Sequence, residues 1–62
     1  MKYTFHFVDI QDNDMFDKNY EFDNLQEARN HASLLLANDM NNTHHIEITS
    51  EDYSVIRDQV TK

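Results

Sequence analysis

Glycine, proline, cysteine and tryptophan are all absent from this chain of 62 residues, and each absence removes a class of structure or chemistry. Without cysteine there is no disulfide and no Cys-based zinc site to supplement a small core, and the composition fits a reducing compartment. Without glycine there is no Gly-rich loop to cradle a phosphate. Every turn that needs a positive φ must then use Asn or Asp, the next most tolerant residues, and Asn13, Asn41 and Asn42 are the candidates. Bases are scarce as well: 5 Lys and Arg stand against 12 Asp and Glu, a formal charge of −7. That charge repels nucleic acid and anionic membrane and attracts basic protein surfaces. With no basic aromatic patch either, direct nucleic-acid binding is not expected. There is no long apolar run, so neither a signal peptide nor a membrane span is expected. The chain reads as cytoplasmic, in the host cytoplasm if phage-encoded.

What is present is enough for one small domain spanning 1–62. Hydrophobic residues make up 39 % of the chain, and they recur at regular spacings, which argues for a folded domain rather than an acidic tail. A chain this short has little room for a deep, partly dehydrated cleft, and it carries no nucleophile motif, so it is read as non-enzymatic and without a cofactor.

Over 1–10, Tyr3, Phe5 and Phe7 alternate with Lys2, Thr4 and His6, the period-two pattern of a half-buried strand. The polar run Gln11-Asp12-Asn13-Asp14 has turn chemistry, and Phe16, Tyr20 and Phe22 then share parity on a second strand, giving an antiparallel hairpin. Asp23 followed by Gln26, or Asn24 followed by Glu27, is a capping pattern ahead of good helix formers. Leu25, Ala28, Ala32, Leu35 and Leu36 fall on one helical face, with Met40 at its edge and Asn41-Asn42 as a left-handed cap. His44, Ile46 and Ile48 alternate with His45, Glu47 and Thr49 in a third strand, and 53–60 reads as a fourth. The expected fold is α+β: ββαββ, an antiparallel four-stranded sheet with one helix packed on one face.

Metal chemistry is weakly encoded. Asp12-Asn13-Asp14 within the run from Asp9 to Asp17 offers oxygen ligands for calcium, but the glycine and the terminal bidentate glutamate of a calcium loop are missing. His44 and His45, being neighbours on a strand, are expected to point to opposite faces and so not to close one zinc site, which leaves only a grouping of His6 with His45 and Glu47.

The strongest signal is the acidic first half: between Asp9 and Glu27 lie Asp9, Asp12, Asp14, Asp17, Glu21, Asp23 and Glu27, with Lys18 the only base in that stretch. Carboxylates held at strand and helix spacing can pair with Arg and Lys of a protein with a basic surface. Leu34 lies about 180° from Leu25 at 100° per residue, among Glu27, Asn30 and His31 on the polar face of the helix. It is a natural centre for a partner contact or a homodimer.

Tyr3-Thr4-Phe5-His6-Phe7, the helix start Phe22-Asp23-Asn24-Leu25-Gln26-Glu27-Ala28-Arg29, and Ile46-Glu47-Ile48-Thr49-Ser50-Glu51-Asp52 resemble a family of small uncharacterised bacterial proteins familiar from rhizobia. The first two strands and the helix are also similar to the amino-terminal half of HicB-type antitoxins. The first resemblance implies a small stand-alone domain with no catalytic residue. The second implies a module that covers a partner's active site. Two functional expectations follow. One is an acidic inhibitor that imitates nucleic-acid charge and blocks a basic groove on a nucleic-acid-handling enzyme, as phage anti-CRISPR and anti-restriction proteins do. The alternative is an antitoxin-like or regulatory module that binds through apolar contacts or self-association.

Overall fold

The computed structural model describes residues 1–38 and 42–61. The alternation along the first strand is realised as β1, Lys2–Asp9, which pairs antiparallel with β2, Asp14–Glu21. The helix α1 spans Leu25–Ala37, followed by β3, Thr43–Ser50, and β4, Asp58–Thr61. The sheet order is β2-β1-β3-β4, with every neighbouring pair antiparallel. The expected ββαββ α+β fold is therefore the one adopted, with β1 and β3 in the centre.

Directly opposed residues share a face in such a sheet, so the register sorts the side chains. Phe5 faces Lys18 and Ile48, and Phe7 faces Phe16 and Ile46. Tyr3, Phe5, Phe7, Ile46, Ile48 and Val60 are buried on that face beneath Ala28, Ala32 and Leu36 of the helix. Asn24 caps α1, its side-chain oxygen accepting from the Glu27 amide at 3.0 Å, which selects Asn24 over Asp23 as the capping residue. The helix ends at Ala37 and its C-cap is Asn38, at a φ of −106°, instead of the expected left-handed Asn41-Asn42, because the Asn38 amide already closes on Leu34 O. The expected edge residue Met40 and the Asn41 half of the expected cap lie outside the described residues.

Three further expectations need correction. His31 is not on the polar face: its ring packs 4.9 Å from that of Tyr20, 5.4 Å from Phe22 and 6.2 Å from Phe5. Rings this large, projecting from the sheet, reach the flank of the helix as well as its central stripe. The fourth strand does not begin at Tyr53, because 51–57 is a loop and Tyr53 and Ile56 are exposed. Finally, His44 and His45 do not diverge. Thr43 pairs with Asp9 and His45 with Val8, so His44 is an extra residue in a β-bulge. A bulge interrupts the alternation of side chains, and the two Nδ1 atoms lie 2.8 Å apart, within hydrogen-bond distance.

Candidate functional site

One face of the sheet is covered by α1, and the other is open and polar. Two rows cross it. Asn19, Thr4 and Thr49 are opposed on β2, β1 and β3, and beside them run Asp17, His6, Glu47 and Gln59. The rows are tied by hydrogen bonds: Thr4 Oγ1 donates to Asn19 Oδ1 at 2.8 Å, His6 Nδ1 lies 2.9 Å from Asp17 Oδ1, and Arg57 donates to Glu47 Oε1 at 2.7 Å. His45, buried beside Val8, adds an Nε2 to Glu47 contact at 3.4 Å. Among the described residues no three His, Cys, Asp or Glu side chains converge on a metal position, the grouping of His6 with His45 and Glu47 included.

The acidic residues separate into three groups. Asp9 and Asp12 belong to the β1–β2 turn. There Asp9 Oδ1 accepts from the Gln11 and Asn13 amides at 2.9 Å each, and Asp12 is exposed at a left-handed φ of 66°. Asp14, Asp17 and Glu21 line the open-face side of β2, the edge strand. Asp17 and Glu21 are four positions apart, about 13 Å along an extended chain. Glu21 also takes the Met1 amine at 2.6 Å. Asp23 and Glu27 are exposed at the start of α1. Leu34 is 61 % exposed on the outer side of the helix, a different layer from the β2 carboxylates, so the structure does not bring it into that row.

The two arginines lie at the other side, whereas Lys2 is opposed to Glu21 on the open face. Arg29 is paired with Asp58 and Arg57 with Glu47, both at the β3–β4 side. Lys18 sits on the helix side of the sheet, 5.7 Å over the Phe16 ring. Asp12, Asp14, Asp23 and Glu27 make no ion pair among the described residues, although Asp23 helps to raise the pKa of the Met1 amine. Carboxylates without an ion pair thus lie on β2, its turn and the start of the helix, and also at Glu51 and Asp52 in the 51–57 loop.

A second feature of the open face was not legible from the alternation pattern. The 51–57 loop closes a shallow groove of about 290 Å³, with Thr4, His6 and Thr49 from the sheet and Glu51, Tyr53 and Ile56 from the loop. The loop is held by a cluster of short hydrogen bonds. Ser50 Oγ and Ser54 Oγ each donate to Asp52 Oδ1 at 2.7 Å, and the Val55 amide donates to Ser50 Oγ at 3.0 Å. These hydroxyls hold the Asp52 carboxyl down at about 2, because they stabilise the ionised form. The sequence signal that marks this loop is Ser50-Glu51-Asp52 together with Ser54, small polar residues whose side chains compete with the strand ladder for backbone groups.

Comparison with protein-family models, with curated proteins and with solved structures returns no match.

Proposed function

We propose that this chain is a non-enzymatic, protein-binding inhibitor that presents its carboxylates to a Lys/Arg-lined groove on a nucleic-acid-handling enzyme, in the manner of phage anti-CRISPR and anti-restriction proteins. The observation that carries this reading is the row of acids: Asp12, Asp14, Asp17 and Glu21 follow one edge of the sheet, where Lys2, the Met1 amine and His6 offset only part of their charge, while both arginines are paired at the other side. Carboxylates on a sheet are spaced by the backbone and offer no phosphodiester to cleave, so they can occupy a basic groove without being turned over.

The test is a pull-down at about 0.05 M and about 0.5 M NaCl, with duplex DNA and RNA as competitors. The expected partner is a nucleic-acid enzyme, released by salt and displaced by nucleic acid. Asp12→Asn/Asp14→Asn/Asp17→Asn should weaken its binding roughly three- to a hundredfold, at about 0.2–1 kcal/mol for each exposed ion pair. A partner that resists salt, ignores the competitor and tolerates the triple change would rule the reading out. The second reading, an antitoxin-like or regulatory module or a homodimer, rests on the exposure of Leu34. It would be favoured by salt-resistant association that is lost with Leu34→Ser.

A further inference from the structure

Tyr53 costs the fold something and returns nothing to it. Its backbone sits at a left-handed φ of 59°, where a side chain crowds the carbonyl and a bulky residue is an outlier. Two of the other left-handed positions, Asp12 and Asn42, carry residues that tolerate this conformation. Tyr53 does not, and its ring is 71 % exposed. Among the described residues no ring stacks on it and no hydrogen bond reaches its hydroxyl. The loop that carries it is nevertheless tightly closed, with the Tyr53 amide donating to Ser50 O at 3.0 Å and the Ser50 amide to Val55 O at 2.9 Å. The chain therefore holds an aromatic ring in solvent, in a disfavoured conformation, at the lip of the open-face groove.

The charges around the groove select what fits it. Arg57 at the lip is already bound by Glu47 at 2.7 Å, and His6 by Asp17 at 2.9 Å. The Glu51 carboxylate makes no ion pair among the described residues, and the Met1 amine, whose pKa it helps to raise, is held by Glu21 at 2.6 Å. The unbalanced charge in the groove is thus negative, beside an aromatic face and the exposed aliphatic side chain of Ile56. We infer that this groove is the anchoring site for a lysine or arginine side chain of a partner protein, whose cation lies against the Tyr53 ring and the Glu51 carboxylate while its stem runs along Ile56. A cation is attracted to the face of a tyrosine ring, and a rigid tyrosine loses little conformational entropy on contact. The anchor deepens the basic-partner reading above. It sits on the same open face as Asp17 and Glu21, so a partner seated there would meet the anchor and the carboxylate row together.

The test uses the intact chain, ¹⁵N-labelled and titrated with N-acetyl-arginine amide, with N-acetyl-glutamine amide as the uncharged control. The arginine probe should give saturable shifts at Thr4, Glu51, Tyr53 and Arg57, and the glutamine probe none. Tyr53→Asn and Glu51→Gln should each weaken the arginine probe about two- to fivefold. Asp12→Asn/Asp14→Asn, which touches no residue of the groove, should leave it unchanged. Because Asn accepts a left-handed φ, Tyr53→Asn should also raise Tm by about 4 °C or more. Shifts that do not saturate, that fall only along β2, or that survive Tyr53→Asn would overturn the anchor, and so would a lower Tm for that variant, which would give the ring a structural role. The two proposals fail separately. Loss of partner binding in the β2 triple variant with no arginine site at Tyr53 leaves the acidic row standing alone, and the reverse pattern leaves the anchor without the mimicry.

Discussion

Single residues carry the consequences of a chain without glycine. Left-handed backbone occurs at Asp12, Asn42, Tyr53 and Arg57. Asn42 was among the expected positions, Asp12 takes the place expected of its neighbour Asn13, and the other two are residue types that no turn rule would select. Asp52 makes this loop pH-dependent. Its carboxyl titrates at about 2 instead of 3.8 because the Ser50 and Ser54 hydroxyls donate to the ionised form. The folded state thus binds this proton less readily than the unfolded chain. The contribution of Asp52 to stability is therefore complete above the ordinary carboxylate range and is lost as pH falls toward its folded value. Urea unfolding followed from about pH 5 to about pH 2 should show Asp52→Asn less stable than the parent at the upper end, with the two converging at the lower end. A constant difference between them across this range would mean that the hydroxyls do not read the charge of Asp52.

Elements follow the apolar periodicities wherever both faces of the pattern are set by packing. The helix is the clearest case, since Ala28, Ala32 and Leu36 are buried and Leu34 is exposed, as their spacing requires. Leu36→Ala should cost about 2–5 kcal/mol by opening a cavity under the helix. Asn24→Ala should cost about 1 kcal/mol through loss of the cap, whereas Leu34→Ala should lie within about 0.5 kcal/mol of the parent. Equilibrium denaturation of the three variants checks that order, and a Leu34→Ala loss as large as that of Leu36→Ala would mean that the outer face of the helix is covered. β4 was legible only in part. Tyr53, Val55 and Ile56 have the composition of a strand, but the Ser50 and Asp52 side chains capture the Ser54 and Val55 amides that a strand would need for its ladder. The bulge at His44 was hidden for a related reason: an extra residue leaves no mark in an alternating pattern until the partner strand is aligned with it.

At the scale of the whole molecule, charge and sheet edges set the mode of contact. β2 combines acids on the open face, Lys18 on the helix side and an irregularity opposite Val8, while β4 has 4 residues. Such edges resist strand addition, which favours the open face over the edges as the proposed docking surface. The net charge of −7 means that the folded chain repels itself. Raising NaCl from about 0.01 M to about 1 M shortens the screening length from about 30 Å to about 3 Å. Tm should rise over that range, by calorimetry or circular dichroism, and should rise less for Asp12→Asn/Asp14→Asn/Asp17→Asn. A fall in Tm would mean that the Arg29–Asp58 and Arg57–Glu47 pairs outweigh the repulsion.

By itself the sequence determined the ββαββ order, the buried aromatic face of β1, the buried face of α1 and the excess of acid. These depend on local spacing and composition, which a single strand or helix carries within itself. Only the tertiary structure decided which carboxylates share a surface, that Leu34 stands apart from them, that His44 and His45 meet, and that a groove forms beneath Tyr53. Each of those depends on the register between strands and on where a loop closes, and both are properties of pairs of segments distant in the chain.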